Sequence, residues 1–246
     1  MTSKSISQST FRTIVGLLIG FAALAWLFGS QTYDWYKARQ MQKSIPNLSR
    51  IPQPLDLSEV SKEPGIKITE FGYEFEVPWR QITNTRKTDF LSDYVFGNDR
   101  AVVIFNPSWY RDTVALSPVE QQLVSALEGY PMMRAALNVT ADQMSPFLSK
   151  REAARKLTLL NLKQVFGMDG LSSAFYSFDH GDLRGFQIGD PARDHLIELD
   201  CFDSSGSPIR LTFGTKHGSD VTLKQPEINR VINTLRVAEK PSGSSH

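Results

Sequence analysis

The densest set of side chains able to do chemistry is Asp179-His180-Gly181-Asp182, followed a few residues later by Asp190 and His195. Imidazole and carboxylate are donors that a metal would take, and the same groups serve general acid–base catalysis. The composition is equally that of a tight turn, where Asp and Gly are expected for conformational reasons. A metal or hydrolytic site over Asp179, His180, Asp182 and His195 therefore requires both segments to meet at one end of a sheet. Glu74 and Glu76 lie two apart on a predicted strand, on one face that reads as solvated. Acid–base work of the glycosidase kind would need one of them buried with a raised pKa.

Cys201 is the only cysteine, which excludes an internal disulfide and a Cys-rich zinc site. In the alternating run HLIELDCF it reads as a buried or half-buried thiol on a strand. No G-x-S-x-G elbow, Walker A loop, G-x-G-x-x-G or H-E-x-x-H occurs, so no cofactor or catalytic nucleophile is expected. Aromatic residues beside strand ends are better candidates for recognition. These are Trp79 after Pro78, and Trp109-Tyr110 after Pro107-Ser108, with core packing as the competing reading.

The element that organises the rest is apolar. Residues Phe11 to Phe28, FRTIVGLLIGFAALAWLF, carry no charge from Ile14 onward. A helix rises about 1.5 Å per residue and a hydrocarbon core is about 30 Å thick, so a span needs roughly 20 apolar residues. The uncharged run from Thr13 to Thr32 supplies that length, and the sequence predicts one transmembrane helix with a juxtamembrane extension over 11–43. Trp26, Tyr33, Trp35 and Tyr36 are expected at the membrane interface. Gly16 and Gly20 form a GxxxG face on which a second copy could pack, giving a homodimer. A cleavable signal peptide is the competing reading, with Ala23-Leu24-Ala25 as its processing site. Lys4 and Arg12 precede the span, and Lys37, Arg39 and Lys43 follow it, a balance that leans towards a cytosolic domain. A short head before a first hydrophobic segment favours the opposite, an exported domain, and that orientation is preferred.

Composition bounds the remainder. The chain is 41% apolar and 22% charged, so roughly 200 residues after the span can build a core without staples. The formal net charge is +1 with no basic block, which argues against nucleic acid as a partner. Residues 1–10 form a polar head, 44–65 a proline-containing linker expected to hold the domain off the bilayer, and 239–246 a disordered tail. Asn47-Leu48-Ser49 and Asn138-Val139-Thr140 match glycosylation sequons, which matter only in a eukaryotic secretory pathway.

The domain itself is expected over 66–238. IKITE and YEFEV alternate apolar and polar residues across Gly72 and predict two adjacent strands. RAVVIFN (100–106) predicts a central strand. Within 117–168 the pattern turns helical, with capping boxes at Ser117–Glu120 and Ser149–Glu152. Strands follow at 173–178, 184–188, 195–202 and 208–215, the last two joined through Asp203-Ser204-Ser205-Gly206. A closing helix at 226–237 places Ile228, Val231, Ile232 and Leu235 on one stripe. The fold class is α+β, a mainly antiparallel sheet of six or seven strands with helices packed on it, preceded by the membrane helix.

The opening hairpin ending in FGYEFEVPW, the helix before a strand meander and the closing INRVINTLR helix resemble the PsbP-like α/β/α sandwich over residues 66–237. That superfamily contains lumenal photosystem subunits and bacterial lipoproteins. The resemblance implies a binding or assembly role, and it designates no site. Taken together, the expected function is a single-pass membrane-anchored protein whose domain binds another protein or a ligand without catalysis. The alternative is a membrane-tethered hydrolase or metal-dependent enzyme using the 179–195 loops.

Overall fold

The structure, a computed structural model, describes residues 29–108, 116–167, 174–215 and 221–238. The apolar run with Gly16, Gly20 and Trp26, the aromatic pair Trp109-Tyr110 and the tail 239–246 lie outside the described residues. Among the described residues no helix is long and apolar enough to cross a membrane.

The chain is α+β, built on two sheets. Strands β2 (Ile66–Glu70) and β3 (Tyr73–Val77) pair antiparallel around Phe71 and Gly72. Both turn residues have positive φ, 51° and 82°, as a two-residue type I′ hairpin requires. Tyr73, Phe75 and Val77 are buried, so the alternation read from YEFEV sets the inward face. A two-residue strand, β11 (Arg236–Val237), joins the other edge of β3 and completes a three-stranded sheet.

The larger sheet has eight strands in the order β1-β7-β8-β9-β10-β6-β5-β4. Its members are β1 (Gln53–Pro54), β4 (Ile82–Lys87), β5 (Leu91–Phe96), β6 (Arg100–Phe105), β7 (Phe175–His180), β8 (Leu183–Ile188), β9 (Leu196–Phe202) and β10 (Pro208–Thr215). All pairings are antiparallel except the short β1–β7 contact. The expectation of one six- or seven-stranded sheet is corrected: the opening hairpin forms a second sheet, and a β4–β5 hairpin extends the first. Strand β6 lies inside the large sheet, as its apolar character required.

Each face of the large sheet is covered differently. The small sheet and helix α5 (Gln225–Thr234) pack on one face, through Phe75, Val77, Ile228, Val231 and Ile232 against Val102, Ile104, Leu199, Leu211 and Phe213. The other face, at the β7–β9 end, carries the helices: α1, described over 29–44, α2 (Pro118–Val124), α3 (Tyr130–Asn138) and α4 (Lys150–Phe166). Ser117 and Glu120 form the expected reciprocal capping box on α2, while on α4 only half of the expected box is made, the Ser149 hydroxyl accepting from the Glu152 amide at 3.2 Å. Gly185 of β8 is forced by close approach. A Cβ there would stand 2.3 Å from the Asp200 carbonyl and 2.8 Å from the Phe178 ring.

The stretch 44–65, expected as a spacer, is laid along the domain. Leu48 is buried, and Leu55 and Leu57 pack on the core. The Leu55 amide donates to Ser177 at 2.9 Å, and the Asn229 side chain donates to the Asp56 and Glu59 carbonyls at 2.9 and 2.8 Å. Lys163, fully buried in α4, donates to the Arg50 and Val139 carbonyls at 2.5 and 2.8 Å. It makes no ion pair among the described residues, and burial pushes its pKa down to about 8. Helix α1 is docked as well. Ala38 is buried in the helical layer, with Trp35 and Met41 packed beside it.

Candidate functional site

A groove of about 690 Å³ opens between the small sheet, the C-terminal end of α5 and the β7–β8 turn. Three kinds of local structure place its side chains. The β7–β8 turn, with Gly181 at φ 59°, presents His180 and Asp182 to solvent. Strand β3 contributes Glu74, whose carboxylate is clamped between Lys67 of β2 at 2.6 Å and Arg236 of β11. The turn after β9 contributes Asp203, which accepts from the Ser205 and Ser207 amides at 2.9 Å each.

The electrostatics of this groove are those of satisfied pairs. Glu74 is held below the usual carboxylate range by hydrogen bonds from Lys67 and Arg236. Burial works to raise Asp203, but hydrogen bonds from Ser205, Ser207 and Tyr73 outweigh it and leave its pKa lowered. The Tyr73 hydroxyl lies 3.3 Å from Asp203 Oδ2 and 3.2 Å from the Ser207 carbonyl. Burial first, and the Asp203 charge second, push that phenol far above its ordinary value. Glu76 pairs with Arg230 at 2.6 Å. The groove therefore offers charges already neutralised in place, a surface for recognition more than a source of protons.

The metal and acid–base candidates do not converge. Asp179, His180 and Asp182 sit at one end of β8, next to Phe202. His195 precedes β9 at the other end, where Ile188 pairs with Glu198. Five residue steps of β8 separate the two ends, about 17 Å at strand rise. All four side chains are exposed, and no group of three His, Cys, Asp or Glu able to hold a metal exists among the described residues.

Trp79 also moves from its expected role. It is buried edge-on against Phe96 and Phe213, with ring centroids at 5.1 and 6.0 Å, so the core reading holds and the recognition reading is withdrawn. Of the interfacial aromatics, Tyr33 and Tyr36 point to solvent while Trp35 is half-buried against the helical layer.

The sequence reading missed a second place, away from the groove, where acid and base groups converge. On the helix-covered face of β9 and β10, Arg210 lies directly opposite Asp200. Its guanidinium donates to both carboxylate oxygens at 2.8 and 3.1 Å. Glu198 Oε1 stands 3.2 Å from the same guanidinium, too poorly aligned to accept a hydrogen bond. Burial first, then the Asp200 charge, raise the Glu198 pKa well above the carboxylate range. The signal was present in the alternation of Glu198 and Asp200 with Ile197, Leu199 and Cys201. Cys201 itself is a fully buried free thiol whose pKa burial pushes up, an unreactive environment.

No family model, curated protein or solved structure matches the chain.

Proposed function

We propose that this is a single-pass membrane-anchored protein whose α+β domain binds a partner protein or small ligand at the membrane surface without chemistry of its own. The carrying observation is the groove beside the β7–β8 turn. Its charged residues at Glu74, Glu76 and Asp203 are paired in place, and the exposed His180 and Asp182 belong to no group of three His, Cys, Asp or Glu able to hold a metal among the described residues. The anchor is the charge-free run from Thr13 to Thr32, whose length matches a bilayer core. The binding role implied by the PsbP-like resemblance agrees with this reading. The domain lies on the extracytoplasmic side, and Gly16 and Gly20 provide a face for a homodimer.

Detergent extraction of the full-length chain followed by affinity purification is the direct test. A stoichiometric companion that is lost on Asp182→Arg supports the reading. Turnover of a generic ester, peptide or phosphate substrate that disappears on His180→Ala would overturn it in favour of a tethered hydrolase. A reporter fused after His246 and active only when exported tests the side of the membrane, and activity only in the cytosol reverses the topology. Loss of crosslinked dimer on changing Gly16 and Gly20 to Leu tests the helix pairing.

A further inference from the structure

Helix α1 has two faces with different destinations. Gln31, Trp35, Ala38 and Met41 follow one another at helical spacing and turn towards the helical layer, with Arg39 reaching Asp142 at 2.5 Å. The opposite stripe, Tyr33, Tyr36, Lys37, Gln40 and Lys43, is exposed throughout. Tyr33 is 64% and Tyr36 56% exposed. No acidic residue falls on that stripe. Asp34 and Glu120 act electrostatically on Lys37 from the flanks, on α1 itself and on α2.

We propose that this outer stripe lies flat on an anionic bilayer surface, so that α1 is sandwiched between the headgroups and its own domain. The proposal rests on the membrane-anchored reading. The apolar run ends at Phe28 and α1 is described from the next residue, so the stripe begins about 7 Å of helix from the hydrocarbon boundary. Tyrosine rings suit the headgroup region, and lysines on the polar side of an interfacial helix are drawn to anionic lipid. The inner face is taken by the domain, which leaves only the tyrosine–lysine stripe to meet the membrane. A helix docked in this way is a rigid mount, so the domain would be held in one orientation to the bilayer and not swing on a tether.

The test uses the full-length chain in nanodiscs of phosphatidylcholine, with and without about 30% phosphatidylglycerol, and in detergent. Amine acetylation is read at each lysine by mass spectrometry. Lys37 and Lys43 are expected to react at least about fivefold more slowly in anionic discs than in detergent, with protection falling at high salt. Lys62 is the internal reference. Its neighbour Ser61 bonds to Pro226 at α5 on the far face of the large sheet, and its rate should not change.

Protection of Lys37 with Lys43 reacting freely would mean that α1 stands upright, and overturns the flat arrangement. Equal rates for both in discs and detergent would overturn any lipid contact, as would protection appearing only when a protein extract is added. Carbonate extraction of native membranes separates the two readings. A chain washed off by carbonate defeats the anchor and the stripe together, whereas a chain that resists carbonate with unprotected lysines defeats the stripe alone.

Discussion

Two regions rich in ionisable side chains behave in opposite ways. The turn Asp179–Asp182 packs an imidazole and two carboxylates into four residues, yet they stay exposed and form no metal-holding group among the described residues. Glu198, Asp200 and Arg210 are spread over thirteen positions of sequence, yet strand register brings them within hydrogen-bonding distance and burial sharpens their interaction. A turn sends successive side chains outward in diverging directions. Paired strands stack alternate side chains on one face at about 5 Å spacing. Density along the chain is therefore a poor guide to convergence in space. The region that matters electrostatically looked in sequence like an ordinary strand.

The largest test of that contrast removes the anchor of the buried cluster. Asp200→Ala removes the carboxylate that accepts both hydrogen bonds from the Arg210 guanidinium, and unfolding free energy should fall by about 3–5 kcal/mol. Denaturant titration of the full chain in detergent reads it, and a loss under 1 kcal/mol would show the cluster to be solvated in practice. Gly185→Ala tests the packing beneath the cluster. Its methyl group would collide with the Asp200 carbonyl, a backbone atom that cannot rotate away. A loss of about 1–3 kcal/mol is expected, and unchanged stability would mean that β8 and β9 sit further apart.

The next effect is set by pH. Glu198 is protonated in the folded chain to a higher pH than in the unfolded one, because burial and the Asp200 charge raise its pKa. At low pH both states hold the proton and the group contributes no difference. As pH rises past the ordinary carboxylate value, the unfolded chain loses that proton while the folded chain keeps it, and stability falls by up to about 1.4 kcal/mol per pH unit. Glu198→Gln imitates the protonated form in both states. The variant should match the parent at low pH and exceed it by a widening margin towards neutrality. Parallel pH curves would refute the assignment of the buried proton to Glu198.

The same contrast explains what could be read in advance. Strands β2 and β3 were legible because every second residue of YEFEV is inward, and α2 and α4 because serine and glutamate three apart act locally. Strand β4 was not legible, because ITNTRK is exposed along its whole length and so carries no alternation. In β5 the inward positions are Ser92, Tyr94 and Phe96, and Ser92 donates to Glu70 at 3.0 Å. A polar residue serving a distant carboxylate hides the pattern. Residues 44–65 resembled a spacer because the amides of Asn229 and Asn233 that hold them come from far along the chain. Trp79 looked like a loop aromatic because its ring partners, Phe96 and Phe213, are equally remote. Of the groove, the β7–β8 turn, the β2–β3 hairpin and the closing helix were each visible in sequence. The wall that holds Arg236 was not, because it depends on β11 returning to pair with β3.

The smallest expected effect is the most discriminating. Replacing Asp179, His180 and Asp182 together by Asn, Gln and Asn removes every titratable group from the turn while keeping its size and its hydrogen-bonding capacity. Gly181, which supplies the positive φ, is left in place. Exposed side chains without buried partners contribute within about 0.5 kcal/mol, so stability should not move outside that range between pH 5 and 8. Adding zinc or manganese should not raise the unfolding midpoint either, because ligands that bind only the folded state stabilise it in proportion to occupancy. A midpoint that rises with metal in the parent and not in the triple variant would restore the turn as a ligand set. The division between an inert turn and an engaged strand pair would then be lost.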